Sequence, residues 1–141
     1  MGIFQGLAGN LSELSKEDVE KSYGQYLLDT EEIKSGYKLI RDAIVITNHR
    51  VLIFDKQGAT GKKMRADSIY LNSIFEVSCE TAGAGIDDSE LTISFIKSPY
   101  HRANNITVSE KKLEFPKKFD IIPLYQYFEA KAHENLKRLN G

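Results

Sequence analysis

The stretch Ile44–Arg65 reads IVITNHRVLIFDKQGATGKKMR. Two apolar, β-branched runs, Ile44 to Ile46 and Val51 to Phe54, flank the polar Thr47-Asn48-His49-Arg50. A glycine-and-lysine loop follows. The loop invites a phosphate-cradle reading, because backbone N–H groups in a G-x-x-x-x-G-K-[ST] loop wrap a phosphate and the terminal hydroxyl holds Mg²⁺. The residues refuse it. With Gly61-Lys62 as the closing pair, the first glycine would fall on Lys56, and Lys63 replaces the hydroxyl. No dinucleotide fingerprint follows a strand either. The stretch is instead a hairpin: asparagine tolerates a tight turn and bonds locally, and Gly58 and Gly61 loosen the connection after the second strand.

Outward from the hairpin, residues 30–115 carry strand-like segments at short intervals. FEVSCE (75–80) sets Phe75, Val77 and Cys79 against Glu76, Ser78 and Glu80. ELTISFIK (90–97) alternates Leu91, Ile93 and Phe95 with polar partners, and NITVSEKKLEF (105–115) carries Ile106, Val108, Leu113 and Phe115. EEIKSGYKLIR (31–41) completes the set, and MRADSIYLNSI (64–74) shows no clean period. About seven short strands with turn signals between them indicate a barrel or sandwich. The ends are helical. Ser15 caps LSKEDVEKSYGQYLL with Asp18 three residues on, and Leu14 and Val19 are spaced as a staple. At the other end Asp120 and Pro123 open a helix over 120–139, whose apolar side is Leu124, Phe128, Ala132, Leu136 and Leu139. The organisation read is an N-terminal helical arm, 1–29, and a β domain, 30–141, closed by that helix.

Composition narrows the function. The 141 residues suit one domain, 41% are hydrophobic and 28% charged, and the net charge is −1. That balance argues against a nucleic-acid binder, which carries a basic excess. One cysteine, Cys79, allows no internal disulfide, and no run approaches a spanning helix or a signal peptide, so the expected compartment is the cytoplasm. The three histidines, His49, His101 and His133, sit on separate elements without metal-ligand spacing, and Asp87-Asp88 lacks calcium-loop spacing. No metal, cofactor or catalytic residue is expected. Lys62, Lys63 and Arg65 cluster near one loop and Lys97, His101 and Arg102 near another, where they would contact an anion, a lipid headgroup or a partner. Ile3, Phe4 and Leu7 form a short apolar face that needs a partner surface, read as the chain's own barrel or, as an oligomer contact, a neighbouring subunit.

The Ile44–Asp55 hairpin, the DKQGATGKK loop, ETAG (80–83) and the start MGIFQGLAGN resemble the bacterial pleckstrin-homology (PH) domain family over most of the chain. The resemblance implies a PH-like barrel: seven strands in two near-orthogonal antiparallel sheets, capped by the C-terminal helix. It also implies no catalysis, no cofactor and ring-like homo-oligomers. Phosphoinositide binding, frequent in eukaryotic PH domains, is not carried over, because the link at Arg41 to Ala43 is too short for a basic headgroup loop. The expected function is a non-catalytic interaction module that assembles with itself and binds a protein partner. The alternative is a peripheral binder of anionic lipid headgroups through the basic loop tips.

Overall fold

The structure is a computed structural model describing residues 12–57, 63–83 and 88–141. The chain divides into two compact units, Met1–Ser68 and Ile69–Gly141.

In the first unit, helix α1 (Lys16–Tyr23) starts at Ser15, whose side-chain oxygen accepts from the Asp18 N–H at 3.1 Å, as the cap spacing predicts. A 3₁₀ turn, Gly24–Tyr26, follows. Strands β1 (Ile33–Lys38), β2 (Ala43–Thr47), β3 (Arg50–Gln57) and β4 (Lys63–Tyr70) form a sheet in sequence order, with β4 crossing the unit boundary. The central hairpin pairs Ala43 with Phe54, Val45 with Leu52 and Ile46 with Val51. All five residues of β2 are buried, so both of its faces are covered. One face packs Val45, Leu52 and Phe54 against Val19 of α1, with Leu14, Tyr23, Tyr26 and Met64 around them. The Tyr23 ring stacks on Phe54 at 4.3 Å. The turn Asn48-His49 is tied by Thr47, whose hydroxyl accepts from the N–H groups of His49 and Arg50, both at 3.1 Å. Gly36 of β1 lies against α1: a Cβ there would meet Val19 Cγ2 at 2.5 Å.

In the second unit, a 3₁₀ turn (Leu71–Ser73) leads into β5 (Ile74–Glu80), β6 (Ser89–Ile96) and β7 (Val108–Phe115), an antiparallel sheet in that order. Helix α2 (Ile122–Asn140) follows, with Pro123 in its first turn and the Asp120 carboxylate accepting from the Ile122 N–H. The seven strands form two antiparallel sheets, of four and three, as the resemblance implies, but these do not close into a barrel. A closed barrel needs an unbroken ladder of strand hydrogen bonds. The 3₁₀ turn after β4 interrupts strand geometry before β5 begins.

The buried side of α2 is Leu124, Phe128, Ala132 and Asn135. Leu136, expected on that side, is 42% exposed. After three steps of four residues the 3.6-residue turn has drifted, and position 135 faces inward instead. Asn135 suits that place because its amide donates to the carbonyls of Leu71 and Ile74, each at 2.8 Å.

Candidate functional site

Among the described residues, a cleft in the first unit, an acidic depression at the ends of β5, β6 and β7, and the outer edges of the sheets could meet another molecule.

The cleft, of about 270 Å³, lies between α1, the turn joining β1 to β2, and the ends of β3 and β4. Leu14, Tyr23, Phe54 and Met64 make its apolar lining, and Asp18, Lys38, Arg41, Asp42 and Lys56 stand around it. The packing of α1 on β3 places the lining, and the short turn brings the charges in. Ligand sites for small organic molecules usually begin at about 300 Å³. Three cations against two carboxylates give no strong single-sign field. Neither size nor charge selects a multiply charged headgroup.

In the same unit, an ion pair fixes the local frame. Arg50 grips Glu31 with two bonds, Nη2 to Oε1 at 2.7 Å and Nε to Oε2 at 2.9 Å. The Thr47 hydroxyl donates to Oε2 at 2.6 Å and the Leu28 N–H to Oε1 at 2.9 Å. Arg50 also reaches the Tyr26 carbonyl and Ser68 Oγ. The Glu31 side chain is 0% exposed, and Arg50 first, with these further donors, holds its carboxyl down at about 2 despite burial. With every oxygen engaged, this pair fastens the hairpin to the 3₁₀ turn and offers no reactive group. Sequence reading missed it because the partners are 19 positions apart. Only the arginine closing a tight hairpin hinted at it.

Of the residues singled out by sequence, Ile3, Phe4, Leu7 and Lys62 lie outside the described residues. Lys63 is exposed at the start of β4. Arg65 is not free for an anion: its Nε donates to the Asp67 carboxylate at 3.1 Å. Lys97 and Arg102 are exposed on the β6–β7 connection and His101 is half-buried there, beside Tyr100, which is 79% exposed. Cys79 is a free, half-buried thiol. Three glutamates that no local motif announces, Glu80, Glu90 and Glu114, stand in one row across β5, β6 and β7. Lys112 Nζ sits 3.6 Å from Glu90 in this row. Among the described residues, no group of three or more His, Cys, Asp or Glu is placed to hold a metal ion, and no helix is long and apolar enough to cross a membrane.

The sheet edges differ from one another. The outer side of β1 is occupied by residues 12–14: Leu14 N–H donates to the Gly36 carbonyl at 2.8 Å and Lys38 N–H to the Ser12 carbonyl at 2.7 Å. Among the described residues, β4 pairs with β3 alone and β7 with β6 alone. An edge strand of this kind offers backbone donors and acceptors to another strand.

A four-stranded and a three-stranded antiparallel sheet followed by a C-terminal helix define a protein of the pleckstrin-homology type. The bacterial PH domain model matches residues 2–131, and the chain belongs to that family. It is 46% identical over 93 residues to the uncharacterized protein YjqA of Bacillus subtilis (strain 168), which spans 66% of this chain and 74% of YjqA. Its fold is similar to that of the pleckstrin homology domain from Shewanella amazonensis SB2B, at a TM-score of 0.63 and 30% identity, covering 93% of this chain and 98% of that one. A DUF1696 family protein with a pleckstrin-homology domain from Shewanella loihica PV-4 is 28% identical, with a TM-score of 0.63 over 89% of this chain and 99% of its own.

Proposed function

We propose that this chain is a non-catalytic, PH-like interaction module of the cytoplasm that assembles with copies of itself and, as an assembly, binds a protein partner. The observation that carries the reading is that, among the described residues, β4 and β7 are each paired on one side alone. A protein selected to stay alone blunts or covers such edges. Among the described residues, this one covers β1 and pairs nothing with the outer sides of β4 and β7. Apolar side chains stand near both: Tyr70 and Val108 are each 51% exposed at strand ends. Large aromatic and apolar side chains in solvent are what interface centres use. Light scattering of the purified protein at micromolar concentration tests the reading. A mass of two or more chains is expected, and a strict monomer overturns the self-assembly.

The exposed Lys63, Lys97 and Arg102 favour a second reading, contact with anionic lipid headgroups. Co-sedimentation with phosphatidylserine-containing vesicles tests it. Binding that disappears with added salt and with Lys62→Glu plus Lys63→Glu supports it, and no binding at low salt removes it.

A further inference from the structure

We propose that the cleft in the first unit is a binding site for a compact apolar body ended by a single carboxylate, either a small organic acid or the carboxyl-terminal residue of another protein. The site stands apart from the self-assembly proposed above and is the same for any number of copies.

Its lining supplies the first observation. Leu14 from the segment before α1, Tyr23 from α1, Phe54 from β3 and Met64 from β4 meet there. Phe54 belongs to the buried core of this unit, and the other three pack against that core. The floor is therefore held by packing and by the Tyr23–Phe54 stack, not by a loop. Burial pushes the Tyr23 phenol up, so the lining is uncharged at neutral pH. At about 30 Å³ for each water-sized group, 270 Å³ holds about nine such groups. An acid of about eight non-hydrogen atoms fills that space, and a drug-sized molecule is too large for it.

The mouth supplies the second. Lys38 ends β1, Arg41 lies in the turn after it, and Lys56 stands near the end of β3. All three are exposed. Among the described residues, none of them makes an ion pair or a side-chain hydrogen bond. The two carboxylates nearby do not change this. Asp42 is already engaged within the chain. Asp18 lies in the first turn of α1, where the positive end of the helix dipole offsets its charge. Unpaired cations from three segments thus surround one apolar floor.

That arrangement sorts ligands by their two ends. The apolar body enters, and the carboxylate stays at the mouth, where the Arg41 guanidinium suits it with two parallel N–H donors. A cationic ligand would meet three like charges. A phosphate dianion would set two charges beside Asp18 and Asp42 and leave the apolar lining unfilled. A neutral apolar molecule would leave the cations as they are.

Saturation-transfer NMR on the full chain tests the site, since it detects the weak binding expected of so small a ligand. The probes are isocaproate, isocaproamide, acetate and the N-acetylated peptide GSGL with a free carboxyl end. Isocaproate or the peptide should bind at least about tenfold more tightly than isocaproamide and acetate, because a hydrogen bond to a charged group and an apolar body are each worth that factor. Arg41→Glu and Lys56→Glu, both at exposed positions and checked by circular dichroism, should each weaken binding about tenfold or more. Lys97→Glu, in the second unit, should leave it unchanged. The tighter of the two acids names the source, a protein terminus for the peptide and a free acid for isocaproate. No transfer to either acid overturns the site. Isocaproamide binding as well as isocaproate overturns the carboxylate, and acetate binding as well overturns the apolar floor. A loss in Lys97→Glu equal to that in Arg41→Glu overturns the location.

Discussion

At the scale of single residues, the Glu31–Arg50 pair is where charge has most to do with stability. Its carboxyl is held near 2 by Arg50 and its other donors, below the ordinary 4.5. The folded state thus binds fewer protons than the unfolded chain across that window, and the sign follows. The contribution is complete above the unfolded value and is lost as pH falls from 4.5 towards 2. Urea unfolding between pH 7 and pH 2 should show stability falling through this range, with Glu31→Gln flattening the fall. Arg50→Ala at pH 7 leaves a buried carboxylate without its cation and should cost about 3 kcal/mol. Glu13 carries the opposite sign. Its two carboxylate oxygens are buried without a hydrogen-bond partner among the described residues, and that desolvation raises its pKa. The folded state here favours the proton, so ionisation at neutral pH opposes folding. Glu13→Gln should raise the melting temperature at pH 7, and the difference should fade as pH falls below the ordinary glutamate range.

At the scale of elements, α2 shows both what periodicity reveals and what it leaves open. The spacing of Leu124, Phe128 and Ala132 announces a packed face, and all three are buried. At the next turn, spacing permits either 135 or 136, and the choice rests on carbonyls of Leu71 and Ile74 more than 60 positions earlier in the chain. No local pattern contains that information. Asn135→Ala should cost about 2 kcal/mol in thermal or urea unfolding, because two buried carbonyls lose their donor. Leu136→Ala, at an exposed position, should stay within about 0.5 kcal/mol. The same contrast separates the strands. Buried hairpin strands such as β2 and β3 were legible from their apolar runs and the turn between them, and α1 from its cap. Strand β4 was illegible because its exposed faces remove the alternation that marks a strand. The candidate contacts fared likewise: basic residues could be found in the sequence, but the Arg65–Asp67 pairing that redirects one of them is a matter of strand geometry.

At the scale of the whole molecule, net charge decides how ionic strength should act. With a formal charge of −1, two copies repel little as bodies, so local pairs govern any salt effect. The screening length falls from about 10 Å at 0.1 M to about 3 Å at 1 M. Solvent-facing charges such as Lys63, Lys97 and Arg102 are screened over that interval. Apolar side chains such as Tyr70 and Val108, each 51% exposed, keep their attraction as salt rises. Light scattering of the natural protein across a salt series therefore separates the two contributions: a mass that falls with salt assigns assembly to charge, and a mass that holds or rises removes charge from the account of assembly.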